Sequence, residues 1–191
     1  MTRTRLTEAE GRAALLAAAT EIVTETGSPN ITVREVAARA GINHGLVHRY
    51  FGTKDTLIAA VIDEIAERVA HELREQGGES VVAGDGAGTL ARLIGHAMVA
   101  GSDDVGDGGR SHPVADVLVA RCREQAGLSE DAARVAAAQI IALTLGWRLN
   151  EPFLVSACGL GERDVLELRR ELYRTCVRVA ESVAEPVRLA G

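Results

Sequence analysis

A chain of 191 residues, 47% apolar and 25% charged, is long enough for one large or two small domains whose core needs neither disulfides nor metals. Its three cysteines, Cys122, Cys158 and Cys176, are scattered without a C-x-x-C pair, which argues against a disulfide framework or zinc knuckle and suits a reducing cytoplasm. The net charge of −6 weighs against a nucleic-acid partner, but it divides unevenly: residues 1–60 hold seven basic and six acidic side chains, and the acidic excess lies in the rest.

In chain order, a short tail with Arg3 and Arg5 comes first, too short to fold alone but able to reach a phosphate or a minor groove. Followed by the small-residue run Ala13 to Ala19, it imitates a secretory leader. Glu8 and Glu10 interrupt the basic part and Glu21 closes the apolar part, so no leader is expected. Nor does any stretch approach the ~18 to 20 apolar residues of a membrane span. The first helix is predicted from Thr7 to about Thr26, opened by a Thr7–Glu10 capping box and stopped by Gly27, Ser28 and Pro29. Its inward stripe is Leu15 or Leu16, Ala19, Ile22 and Val23.

Residues Thr32 to Phe51, TVREVAARAGINHGLVHRYF, predict two short helices joined at Gly41. Thr32 and Glu35 form a second capping box, and Val33, Val36, Ala37 and Ala40 point inward at helical spacing. Gly41 suits the left-handed end of the first helix, Asn43 caps the second, and Val47 and Phe51 point inward at i, i+4. This is the grammar of a helix-turn-helix. The positions left over on the second helix, His44, Gly45, His48 and Arg49, then face the major groove or its walls. Arg34, His44 and His48 are the expected base readers: the arginine fork pairs bidentately with guanine, and a suitably protonated histidine donates to guanine N7 or O6. Gly45 lets the backbone approach closely, while Leu46 either touches a thymine methyl or packs on the first helix. His44 and His48 have the spacing of two imidazoles on one metal, but with neither the glutamate of H-E-x-x-H nor a third ligand nearby no metal is assigned.

Thr53 caps a fourth helix that carries Leu57, Ile58, Val61, Ile62, Ile65 and Val69 to about Gln76. Two glycine-rich stretches, GGESVVAGDGAG from Gly77 and GSDDVGDGGR from Gly101, bracket a short helix around Leu90 to Val99 and read as flexible loops. Neither has the strand-then-glycine order of a phosphate loop, and the D-D-x-x-D of the second lacks the glutamate of a calcium loop. Pro113 opens a helix to Gln125 that Gly127 ends. Ser129 caps the next, Glu130 to Leu149. Val135, Ala138, Ile140, Ile141, Leu143, Leu145 and Trp147 make it apolar on most sides, so it is expected to be buried nearly all round.

A break at Pro152 precedes the final helix, about Glu162 to Ala184, which has two apolar stripes. One runs through Val165, Leu168, Leu172, Cys176, Val179 and Val183, the other through Leu166, Tyr173, Val177, Ala180 and Ala184. One stripe can face its own core, and a second copy of the chain is the economical partner for the other. The pattern does not say which is which; the Val165–Val183 stripe is taken as the dimer interface. No Ser/His/Asp or Cys/His set and no close carboxylate pair stands in a catalytic context, so neither an enzyme nor a cofactor is expected.

Continued through GTKDTL at Gly52 to Leu57, the helix-turn-helix stretch resembles the DNA-binding domain of the TetR family of transcriptional repressors. The similarity spans roughly Leu6 to Glu64, with Thr32, Ala37, Gly41, Gly45, Phe51, Lys54 and Leu57 where that family expects their type; His48 stands where it usually has tyrosine. The resemblance implies an all-α protein with a three-helix DNA-binding head, residues 1–52, and a helical-bundle body for ligand binding and dimerisation, residues 53–191. It implies that Thr32, Asn43, Tyr50 and Lys54 hold phosphates, to which Arg49 is added as a nearby cation. It further implies a cytoplasmic homodimer on a palindromic double-stranded operator, joined through its last two long helices and released by a small-molecule inducer. Met98, Leu118, Cys122, Trp147, Asn150 and Phe153 are the candidate pocket residues. A ligand sensor with a degenerate DNA head, or an enzyme using the body as a substrate cavity, are the competing readings.

Overall fold

The computed structural model describes residues 7–101 and 111–184. Among these there are nine helices and no strand. The tail with Arg3 and Arg5 and nearly all of the second glycine-rich stretch lie outside the described residues. Contacts group the chain into two compact units, Met1–Ile65 with Arg92–Gly109 and Ala66–Ala91 with Arg110–Gly191.

In the first unit, α1 (Glu8–Thr26), α2 (Val33–Ala40) and α3 (His44–Phe51) pack on one another. Each starts where a side chain satisfies free backbone N–H groups. Thr7 and Glu10 cap each other at α1, Thr32 and Glu35 do so at α2, and Asn43 Oδ1 accepts from the Gly45 N–H at α3. Leu15, Ala19 and Val23 of α1 are fully buried, with Ile31, Val36, Val47 and Phe51. Fully burying one such side chain is worth roughly 1.5–3 kcal/mol. α4 (Lys54–Gln76) opens with the Thr56 N–H on Thr53 Oγ1 at 3.1 Å, and all six of its predicted inward residues are buried. Arg92, from α6 (Asp85–Val99), donates through Nε to the carbonyl of Gly27 at 2.7 Å, at the end of α1.

In the second unit, α7 (Pro113–Ala126), α8 (Glu130–Ala157) and α9 (Val165–Ala184) pack together, and α5 (Gly78–Ala83) lies on α9. One apolar cluster gathers Cys122, Leu128, Ala133 and Ala136, with Ala180 and Val183 against it. Another gathers Val82, Leu172 and Cys176, with Trp147 and Tyr173 against it.

Four expectations are corrected here. The stretch from Gly77 is not a flexible loop: it forms α5 and the start of α6. Its glycines serve close packing, since a Cβ at Gly78 would lie 2.6 Å from the Tyr173 ring and one at Gly88 2.6 Å from an Arg148 guanidinium nitrogen. Pro152 does not break α8. A proline costs one backbone hydrogen bond, and the helix runs on past it to Ala157, with Glu151 beside it held by Trp147 and Arg148 of the preceding turn and by Arg169 of α9. α8 is not buried all round: Val135, Leu143, Leu149 and Phe153 are exposed, because α7 and α9 do not cover its whole circumference. On α9, Leu168, Leu172 and Cys176 of the stripe taken as the dimer interface are buried in the chain's own core, and Val183 packs on the α7–α8 cluster. Val179 is half-buried, and only Val165 of that stripe is exposed.

Candidate nucleic-acid interface

The helix-turn-helix is α2, the turn at Gly41, and α3. Gly41 adopts φ +66°, which an L side chain rarely takes, and its N–H returns to the α2 carbonyls. A clamp not foreseen from sequence fixes α2 against α1: Arg39 donates to both oxygens of Glu25, at 3.0 and 2.9 Å, and Glu21 lies 3.6 Å away. The bond from Arg39 holds the Glu25 carboxyl below the usual carboxylate range. The pair is exposed, so its contribution is screened.

α3 divides cleanly. Val47 and Phe51 are buried, whereas His44, Gly45, His48 and Arg49 are exposed on the outer face and Leu46 is half-buried. A Cβ at Gly45 would meet nothing closer than Asn43 Oδ1 at 3.4 Å, so this chain itself does not require a glycine there. Arg34 is exposed on the first turn of α2. His48 is more constrained than its exposure suggests, for its Nδ1 lies 3.1 Å from the carbonyl oxygen of Gly52.

Most of the residues expected at phosphates are held by a neighbour. The Thr32 hydroxyl accepts the Glu35 N–H at 3.2 Å. Hydrogen bonds from the Thr32 side chain and then its backbone hold the Glu35 carboxyl below the ordinary range, and the half-buried Lys54 acts in the same direction. Asn43 spends its oxygen on the cap at 2.9 Å, leaving its amide N–H groups to point elsewhere. Arg49 pairs with Glu8 at 3.6 Å, both side chains being exposed. Tyr50 is half-buried against α1, where a Cβ at Gly11 would lie 2.8 Å from its ring. Gly11 was missed from sequence, although a glycine inside a helix costs ~1 kcal/mol relative to alanine and thereby signals a close approach. Beside it, the Arg12 guanidinium sits 4.8 Å from the centre of the Phe51 ring.

The outer surface thus presents an arginine, two imidazoles and a bare glycine backbone, flanked by the N-termini of two helices, whose partial positive charge favours phosphate. That is the chemistry of base-edge contacts framed by backbone contacts.

The candidate pocket residues are not brought together. Cys122 and Trp147 belong to different clusters, Leu118 is half-buried, and Asn150 lies exposed with its amide donating to the Gly146 carbonyl at 2.9 Å. Met98 and Phe153 are each 69% exposed, so neither is a cavity wall in this chain. Burial raises the Cys122 thiol, with the Arg121 charge opposing it. Among the described residues no group of three or more His, Cys, Asp or Glu is placed to hold a metal, and no helix is long and apolar enough to cross a membrane.

Residues 15–61 match a family described as bacterial regulatory proteins, tetR family. The chain is 38% identical over 176 residues to the HTH-type transcriptional repressor Rv3405c of Mycobacterium tuberculosis, covering 90% of each protein. Its fold is similar to that of a tetR-family transcriptional regulator from Streptomyces coelicolor, with TM-score 0.56 and 18% identity over 92% of this chain and 82% of that one. A TetR transcriptional regulator from Rhodococcus sp. RHA1 aligns with TM-score 0.51 and 19% identity over 96% of this chain and 100% of that one.

Proposed function

This chain belongs to the TetR family of bacterial transcriptional regulators, and we propose that it is a cytoplasmic homodimeric repressor that occupies a palindromic operator and leaves it when a small molecule binds. The observation that carries the DNA part is the division of α3: two side chains locked into the core, four residues turned outward. Repression is favoured over activation by a relative called a repressor that spans 90% of this chain. Arg34, His44, Gly45, Leu46 and His48 face base edges, and Thr32, Asn43, Arg49, Tyr50 and Lys54 hold the backbone. Residues 1–52 act as the reading head and 53–191 as the sensing and dimerising body.

For the dimer, the exposed faces of α8 and α9 are the surface with unspent apolar area. Val135, Leu149 and Phe153 recur along one side of α8 with Ala138, Ala142 and Gly146 between them, and Leu166 and Val177 do so on α9. Two copies joined there present two α3 helices to half-sites about 34 to 36 Å apart. A ligand that alters that spacing by a coupling of about 1 to 3 kcal/mol shifts affinity by one to two decades. Of the candidate pocket residues, Leu118, Cys122 and Trp147 are at least half-buried in the second unit and are kept as separate candidates for ligand contact.

Selection from random duplexes at low salt tests the reading. A two-fold symmetric motif is expected, and failure to enrich any palindrome overturns it. As the sole tryptophan, Trp147 reports on the sensor: a compound that releases DNA is expected to change its fluorescence.

A further inference from the structure

We infer that His48 reads the operator as a hydrogen-bond acceptor, through Nε2, and selects the amino group of an adenine or cytosine at its position in the major groove. The inference rests on the DNA-binding reading above and adds the atom and the base class.

The ring is fixed by Gly52. His48 Nδ1 lies 3.1 Å from the Gly52 carbonyl oxygen, which has no hydrogen to give, so Nδ1 is the donor. A neutral imidazole carries one N–H, and with the proton on Nδ1 its Nε2 is left as an acceptor. The carbonyl does not wander, because Gly52 sits at φ +72° and ψ −71° in a three-residue γ-turn closed by the Thr53 N–H on the Phe51 carbonyl at 2.8 Å. The Gly52 N–H in turn donates to the His48 carbonyl at 2.9 Å. Backbone and side chain of His48 are therefore both tied to one glycine, whose positive φ resists replacement by any L residue.

In the major groove, guanine offers only acceptors at O6 and N7, thymine offers O4, and the donors are adenine N6 and cytosine N4. An acceptor at Nε2 therefore pairs with adenine or cytosine and repels guanine. This reverses the expectation from residue type alone, in which histidine donates to guanine.

The test has two arms. Nitrogen-15 spectra of the free, full-length protein are expected to show His48 protonated at Nδ1 and bare at Nε2; the opposite tautomer overturns the inference without touching the repressor reading. In operator selection, the wild type is expected to enrich adenine or cytosine at one position per half-site, with guanine there weakening binding about tenfold or more. His48→Ala loses that preference alone, and His48→Arg, a donor-only side chain, converts it to guanine. A symmetric motif that His48→Ala leaves unchanged, or guanine at the one position whose preference His48→Ala abolishes, overturns the inference only. No motif at all overturns both.

Discussion

Arg169 and Glu151 meet in two parallel hydrogen bonds, Nε to Oε2 at 2.8 Å and Nη2 to Oε1 at 2.7 Å, with each side chain 14% exposed. Arg169 also donates to the Ala83 carbonyl at 3.0 Å, and Arg148 reaches both Glu151 and the Gly84 carbonyl. One carboxylate thus holds two arginines over the end of α5. Glu151→Gln removes the charge held between both arginines, leaving the exposed Asp85 carboxylate 3.7 Å from each, and is expected to cost up to about 3 kcal/mol in urea unfolding at neutral pH.

The same site has an acid limb. The bond from Arg169 holds the Glu151 carboxyl below its ordinary value despite burial. A depressed folded value means the stabilisation is complete above the ordinary glutamate value of 4.5 and is lost as pH falls through the folded one. The gap between wild type and Glu151→Gln is therefore expected to close in acid below that value. A gap that stays constant there would refute the assignment.

Gly11→Ala separates fold from function. The new methyl meets the Tyr50 ring at 2.8 Å and moves it, while the helix gains ~1 kcal/mol of propensity. Thermal stability is expected to change little and operator affinity to fall about tenfold, the worth of roughly one hydrogen bond to a charged partner. Unchanged affinity would remove Tyr50 from the phosphate contacts.

Arg34→Ala and Lys54→Ala are expected to differ in kind. The first should lose about 1 to 3 kcal/mol on the preferred site and relax one base position, whereas the second should weaken every sequence alike and reduce the salt slope by about 1. Titrations on matched and mismatched duplexes at several salt concentrations decide this; equal losses on all sequences from both variants would contradict the sorting.

On α9, the two stripes give opposite outcomes. Leu166 and Val177 are 47% and 39% exposed, so Leu166→Glu with Val177→Glu is expected to yield a helical monomer by light scattering. Leu168 is buried, and Leu168→Ala should cost about 2 to 5 kcal/mol while leaving the mass that of the wild type. A dimer surviving the double charge substitution would place the interface elsewhere.

What could be read from the sequence was what is decided within a few residues. Thr7 with Glu10, Thr32 with Glu35, and the caps at Asn43, Thr53 and Ser129 all close over two or three positions, so residue order alone locates six helix starts once Pro113 is added. The stretch from Gly77 was illegible because Gly78 and Gly88 answer to Tyr173 and Arg148, partners remote in sequence. The stripe of α9 that faces inward was equally hidden: both have the same period, and only the placement of α5, α7 and α8 chooses between them. At the proposed DNA surface, residue types named His48, but the bond from its Nδ1 to Gly52 depends on a turn geometry that no periodicity encodes.

The bond from Arg92 to Gly27 spans 65 positions. A ribosome adds about 5 to 20 residues per second, so the tie that finishes the first unit is synthesised roughly 3 to 13 s after the end of α1. During that interval the first unit lacks Arg92 and the part of α6 that follows it. The nascent reading head is for those seconds an unfinished module, and truncation before Arg92 should leave it more open to proteases than the same residues in the whole chain.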